Sequence, residues 1–98
     1  MTPREQALLE QAILAWGEQA QYGMVVEEIG ELLTAMNHWC RKRCHAPTVA
    51  EEIADVQIML DQLALLLGHT GPSMVKAFRF EKILRLERRL KDENINGE

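Results

Sequence analysis

Two pairs of acidic residues, each spaced three positions apart, are the residues of this chain best suited to chemistry. Glu28 and Glu31 form the first pair, and Glu52 and Asp55 form the second. On a helix, side chains at this spacing lie one above the other on the same face. Like charges there repel, and placing them among apolar residues is costly unless a cation neutralises them. The two pairs therefore indicate a cation site.

Helical geometry separates these four acids from the other acidic residues nearby. With about 100° of rotation per residue, Glu28 and Glu52 fall inside the apolar arcs of their helices. Glu31 lies at the edge of its arc, and Asp55 lies beside Glu52, near Leu66. If the two helices pack antiparallel, the four carboxylates can converge. Ligands that are all oxygen suit Mg²⁺ or Mn²⁺. The alternative, two solvated acidic faces, is the usual arrangement of charged runs.

Two other metals fit the sequence less well. Di-iron bundles pair a Glu with a His three residues later, and acidic residues stand at those positions here. Cys40 and Cys44, with His38 and His45 beside them, match no common zinc spacing. We expect both cysteines to be free thiols near a helix end.

The elements that must position these acids are predicted to be four helices, with no strand. Apolar residues recur at helical spacing over about 4–16, from 19 or 22 to 43, from 48 to 67 and from 73 to 91. Thr48 and Glu51 fit a capping box, with Thr48 as the N-cap. Gly68 is placed to end the third helix, and Ser73 is expected to cap the fourth. The polar tail from about residue 92 is expected to fray.

The composition favours one all-α domain that resembles a four-helix bundle. The chain has 98 residues, of which 47% are hydrophobic, and these numbers fit a single domain over residues 1–98. The third helix is apolar on most sides, which predicts a dimer or a larger oligomer. A formal net charge of −4 gives no signal for binding nucleic-acid polymers or anionic membranes. No apolar run reaches bilayer length and the N-terminus does not resemble a signal peptide, so the expected location is the cytoplasm.

The fourth helix is basic, and three of its cations are candidates for contact with phosphate. Arg79 shares a face with apolar residues, and Lys76 and Lys82 flank that face. An Arg fork matches phosphate oxygens well, although a long basic side chain can also simply reach solvent. A nucleotide base would need an apolar or aromatic slot. Trp16 is a candidate for it, with packing in the core as the alternative.

The strings Glu27-Glu28-Ile29-Gly30-Glu31 and Glu52-Ile53-Ala54-Asp55 resemble the EExxE…ExxD signature of MazG-like nucleotide pyrophosphohydrolases. The segment Trp16–Gln21 and the C-terminal stretch Leu84–Arg88 are also similar to small, phage-type members. The resemblance covers about residues 16–90.

The resemblance implies an all-α enzyme, dimeric or tetrameric, that hydrolyses a (deoxy)nucleoside triphosphate to monophosphate and pyrophosphate with Mg²⁺. By position, Glu28, Glu31, Glu52 and Asp55 would be the metal ligands and catalytic residues. Water activated by the metal would attack the α-phosphorus, and Arg79, Lys82 or a neighbour would neutralise the leaving pyrophosphate. Two alternatives are another metal-dependent phosphoanhydride hydrolase on the same scaffold and a non-enzymatic helical interaction module.

Overall fold

A computed structural model describes the backbone of residues 1–96 and the side chains of residues 1–94. Over these residues the chain is helical with no strand, which confirms the predicted all-α class. The four helices are α1 (Pro3–Trp16), α2 (Glu18–Cys40), α3 (Ala46–Leu66) and α4 (Gly71–Asn96). Helix α4 continues through Asn96, beyond its expected end, and residues 97–98 lie outside the described chain.

Helix α1 begins at a capping box that the sequence analysis did not predict. The backbone N–H of Glu5 donates to Thr2 Oγ1 at 3.1 Å, and the N–H of Thr2 donates to Glu5 Oε1 at 2.6 Å. Pro3 occupies the first helical turn, where its missing N–H costs no hydrogen bond. Gly17, with φ of 87°, then separates α1 from α2 in a conformation that a residue with a Cβ rarely adopts.

Helix α2 ends in a Schellman motif with an unusual residue at its left-handed position. The N–H of Arg43 donates to the His38 carbonyl at 2.8 Å, and the N–H of Lys42 donates to the Trp39 carbonyl at 3.0 Å. Lys42 has φ of 57°, where glycine is the usual residue. These bonds satisfy the last carbonyls of α2 and turn the chain towards α3.

The prediction that Thr48 caps the third helix is wrong. Helix α3 begins at Ala46, its N-cap is His45, and no side chain caps it. Pro47 is tolerated inside the first turn because the residue four positions earlier lies outside the helix, so the missing N–H costs no helical hydrogen bond. Thr48 is therefore the third helical residue, and its hydroxyl is not needed for capping.

The turn between α3 and α4 depends on two glycines. Gly68 has φ of 114° just after α3, which confirms the predicted helix end. Gly71 is buried, and a Cβ there would lie 1.8 Å from the carbonyl oxygen of Ala64. Because α4 begins at Gly71, Ser73 lies inside the helix, and its predicted role as N-cap is wrong.

The core is small and lies mainly between α2 and α3, which pack along each other as an antiparallel pair joined by residues 41–45. Its buried apolar residues are Val25, Ala35, Val56 and Ala64. Gln62 is fully buried and ties three helices together, because its Nε2 donates to Gln21 Oε1 at 2.8 Å and to the Leu9 carbonyl at 3.3 Å. These bonds fix α1 against the α2–α3 pair.

Helix α4 contacts only α3 among the described elements, and every side chain from Ser73 to Asn94 is exposed. The radius of gyration is 17.2 Å, compared with about 13 Å for a compact domain of 100 residues. A single chain therefore leaves one helix largely uncovered. None of the described helices combines the length and apolarity needed to cross a bilayer.

Candidate metal centre

Three of the four predicted acids come together between α2 and α3. Glu28 and Glu31 lie one helical turn apart on α2, and Glu52 faces them from the second turn of α3. One carboxylate oxygen from each of the three lies within 4.8 Å of the others. We call Glu28, Glu31 and Glu52 the acidic triad. The convergence follows from the short connection at residues 41–45, which makes α2 and α3 antiparallel and brings the two sequence motifs to the same level.

The fourth predicted acid, Asp55, lies beside the triad. It is half-buried, and its negative charge helps to raise the pKa of both Glu28 and Glu52. Among the described residues, the carboxylate oxygens that lie within 4.8 Å of one another belong to Glu28, Glu31 and Glu52. Asp55 is thus close enough to act on the triad through its charge, and its role as a ligand stays a prediction.

The electrostatics of the triad are unfavourable for carboxylates alone. Burial raises the pKa of the Glu28 carboxyl above its ordinary value, and the charge of Glu31 raises it further. Burial also raises the pKa of Glu52, followed by the charges of Glu31 and Asp55. Each effect disfavours the ionised form.

Two carboxylate oxygens of the triad are buried without a hydrogen-bond donor. Glu28 Oε2 and Glu52 Oε2 are inaccessible to solvent and have no partner among the described residues. Such groups are costly unless something satisfies them. A divalent cation bound by the triad would satisfy both oxygens and offset the mutual repulsion, so the donor set fits a hard metal ion such as Mg²⁺ or Mn²⁺.

A shallow, open cavity of about 540 Å³ lies beside the triad, and further polar residues line it. Glu31 and Glu52 line it together with Thr34, His38 and Thr48. Thr34 and His38 follow Glu31 by three and seven positions on α2, and Thr48 precedes Glu52 by four on α3. These spacings place Thr34 and His38 on the same face of α2 as Glu31, and Thr48 on the same face of α3 as Glu52. In the sequence, however, nothing distinguished these polar residues from others at helical spacing.

The basic residues of α4 do not line this cavity. Lys76 and Arg79 line a different cavity, of about 560 Å³, which Leu60 and Asp61 line from α3. Asp61 follows Glu52 by nine residues, two and a half helical turns, and therefore lies on the opposite side of α3. Arg79 and Lys82 also line a shallow cavity of about 530 Å³ along α4 itself.

The remaining candidates of the sequence analysis lie apart from the triad. Trp16 is the last residue of α1, with 70% of its surface exposed. Cys40 ends α2 and Cys44 lies in the connection to α3; both are free thiols, as expected, and line a cavity of about 520 Å³ with Trp39, Lys42 and His45. Among the His, Cys, Asp and Glu side chains of the described residues, those of the acidic triad have ligand atoms close enough to share a metal ion.

Comparisons of the chain with models of protein families, with curated proteins and with solved structures find no match.

Proposed function

We propose that this protein is a Mg²⁺-dependent pyrophosphohydrolase that cleaves a (deoxy)nucleoside triphosphate into the monophosphate and pyrophosphate. The observation that supports this most is the pair of buried, unpartnered oxygens on Glu28 and Glu52 within the acidic triad. The similarity of the two acidic motifs to the MazG-like signature supplies the substrate class and the bond that is cleaved.

The protein residues have distinct parts in this proposal. Glu28, Glu31 and Glu52 would hold the cation, and Asp55 would either join them or add negative charge from the side. When bound, a divalent cation would neutralise phosphate charge and lower the pKa of a coordinated water. The rigid α2–α3 pair keeps the carboxylates in position, because the core of the chain lies between these two helices.

The test is pyrophosphate release from a panel of natural and damaged nucleoside triphosphates, with Mg²⁺ and with a chelator. We expect release that requires Mg²⁺ and is reduced at least about a hundredfold in Glu28→Gln and Glu52→Gln, because each change removes a ligand charge and one ligand oxygen. Glu81→Gln, an exposed acid on α4, is the matched control and should leave the rate unchanged.

The same panel separates the alternatives. Mg²⁺-dependent release of phosphate from other phosphoanhydrides, without pyrophosphate release from any triphosphate, would favour a different hydrolase on this scaffold. No hydrolysis, together with no Mg²⁺ binding, would favour a non-enzymatic helical module.

We also propose that the protein is a homo-oligomer in which α4 is covered by another copy. Along α4, the apolar residues Val75, Phe78, Ile83, Leu86 and Leu90 return to one face, and each has about half of its surface exposed. An uncovered apolar helix face of this length is typical of an interface. The chain 1–70 has four basic and ten acidic residues, whereas α4 has seven basic and four acidic ones. This charge asymmetry favours contact between unlike parts of two copies.

A further inference from the structure

Helix α2 has a second apolar face that nothing in the single chain covers. Beside the residues that pack on α3, apolar side chains recur along α2 at alternating intervals of four and three residues: Tyr22, Val26, Ile29, Leu33 and Met36. All five are exposed, Val26 to 72% and Leu33 to 60%. Intervals of four and three residues are the pattern with which one helix packs along another. We call these five residues the outer stripe of α2.

The outer stripe lies on the side of α2 away from the cavity beside the acidic triad. It is turned by about 100° around the helix axis from Val25 and Ala35, which are buried in the core. Glu31 and His38, which line the cavity, are turned by a similar angle in the other direction. A helix that packs on the stripe therefore leaves the triad and its cavity open.

The outer half of α4 has an apolar side without a partner. Helix α4 lines the cavity that it shares with α3 only as far as Arg79. Beyond that residue, Ile83, Leu86 and Leu90 lie on one side of the helix, each with about half of its surface exposed. From Arg79 to Asn96 the helix runs for about 26 Å, compared with about 21 Å for the outer stripe. Within residues 1–96, α4 does not contact α2 of its own chain.

The charges of the two elements are complementary. Helices α2 and α3 have eight acidic residues and no Lys or Arg, whereas α4 has seven basic and four acidic residues. Lys82 and Arg89 flank the apolar side of α4. A second α2–α3 pair on the stripe would bring like charges together, and α4 brings opposite ones. Charge therefore favours α4 as the helix that covers the stripe.

The size of the contact fits a dimer. A dimer with two-fold symmetry makes the contact between the stripe and α4 twice. The exposed parts of the apolar side chains in both contacts, with the stems of the flanking cations, amount to on the order of 1,600 Å², the size of a specific and stable interface. The apolar core of a single chain is small, so a cover for the stripe is needed whenever the protein is folded. A second copy of the chain meets that condition.

We infer that the outer stripe of α2 binds the apolar side of α4, at Ile83, Leu86 and Leu90, from a second copy of the chain, and that the exchange is reciprocal. This inference rests on the proposed homo-oligomer and identifies the surface that covers α4. The two acidic triads lie outside the contact, because the stripe and the cavity are on different sides of α2.

The experiment is a complementation test by sedimentation velocity. Leu33→Asp damages the stripe and keeps α4, whereas Leu86→Asp damages α4 and keeps the stripe. Each variant alone should sediment as a monomer, because every contact in its dimer has one damaged half. An equal mixture should form a heterodimer with a dissociation constant at least about tenfold below that of either variant alone. In the mixture, the α4 of the Leu33→Asp chain meets the stripe of the Leu86→Asp chain with both halves intact.

The control makes the same change at another exposed leucine. Leu14 lies on α1 with 87% of its surface exposed, and Leu14→Asp should leave the wild-type dimer intact. Circular dichroism checks that each variant keeps its helices. If Leu33→Asp does not fold, Leu33→Ala takes its place and should raise the dimer dissociation constant at least about tenfold, because two-fold symmetry puts the change in both contacts.

The possible failures are distinguishable. A Leu33→Asp or Leu33→Ala chain that associates like the wild type overturns the inference, and the proposed α4 interface stands if Leu86→Asp is monomeric. Two monomeric variants whose mixture stays monomeric also overturn it, because the stripe and α4 do not then meet each other. A monomeric wild type overturns both the homo-oligomer and the inference, and release of pyrophosphate decides separately whether the protein is a hydrolase.

Discussion

At the scale of single residues, the acidic triad is a local conflict within an otherwise ordinary helical pair. Glu28 and Glu52 are half-buried, each has one oxygen without a partner, and each stands near other carboxylates. A fold that places like charges together in this way loses stability, and such conflicts are typical of functional sites. The conflict leads to two predictions.

Neutralising one triad acid should stabilise the metal-free protein and abolish its response to metal. Glu52→Gln removes a charge that burial and neighbouring acids oppose, and the amide can also donate a hydrogen bond. In chelator, we expect a higher melting temperature than in the wild type. In millimolar Mg²⁺, we expect the wild type to gain stability and the variant to gain none. Thermal unfolding measures both, with Glu81→Gln as the control. A variant that is less stable than the wild type in chelator would show that the Glu52 charge is already compensated within the chain.

The stability of the metal-free protein should fall as the pH rises through the acidic range. The pKa values of Glu28 and Glu52 are raised above their ordinary value of 4.5. Between that value and the raised ones, the folded chain binds more protons than the unfolded chain, so increasing pH removes stability. Urea unfolding in chelator at several pH values measures this effect as the difference between the wild type and a Glu28→Gln, Glu52→Gln double variant. The wild type should lose stability relative to the double variant as the pH increases, and a difference that is constant with pH would contradict the shifted pKa values.

At the scale of the helices, the local structure of the connections decides where the site residues lie. The Schellman motif at the end of α2 and the early start of α3 together set the register that brings Glu31 opposite Glu52. Lys42 holds the left-handed position of that motif, although its Cβ is strained there.

Replacing Lys42 by glycine should therefore stabilise the protein. Glycine removes the steric cost of the left-handed conformation, and its greater entropy in the unfolded chain cancels part of the gain. We expect an increase of about 0.5–1 kcal/mol in the free energy of unfolding, measured by urea denaturation. Lys42→Ala is the control, because it removes the charge and keeps the Cβ, and it should give no such gain. Equal stabilisation by both variants would assign the effect to the charge of Lys42.

Much of the helical architecture followed from the sequence, because each helix has apolar residues at helical spacing and Gly68 stands just past α3. The convergence of Glu28, Glu31 and Glu52 followed as well, since i, i+3 spacing and antiparallel packing fix it. The helix starts were less predictable. Thr48 and Ser73 have the right chemistry for N-caps, but Pro47 and Gly71 allow their helices to begin two residues earlier. The place of the α4 cations depends on which side of α3 that helix packs against, and an amphipathic pattern does not determine that choice.

At the scale of the whole molecule, the proposed assembly rests on how little of the chain a single copy buries. Its core contains few fully buried apolar side chains, its radius of gyration is large for its length, and α4 presents its apolar face to solvent. An amphipathic helix such as α4 gains most of its stability when its apolar face packs against another element. A second copy with an acidic α1–α3 unit fits both the apolar face and the positive charge of α4.

A charge in the middle of the apolar α4 face should prevent this association. Leu86 has 51% of its surface exposed in the single chain, and Leu86→Asp would place a carboxylate in the proposed interface. Sedimentation velocity should show an oligomer for the wild type and a monomer for the variant. Arg88→Asn changes the net charge by the same amount on the opposite side of α4 and should leave the oligomer intact. A wild type that sediments as a monomer at all concentrations would contradict the proposed interface.

The central claim is that Glu28, Glu31 and Glu52 converge in order to hold a divalent cation. The most direct measurement is the anomalous scattering of Mn²⁺ in a crystal grown with that ion. We predict a manganese peak within coordination distance of one oxygen from each of the three carboxylates. A well-ordered crystal in which these side chains point apart into solvent, with no manganese peak between them, would contradict the claim.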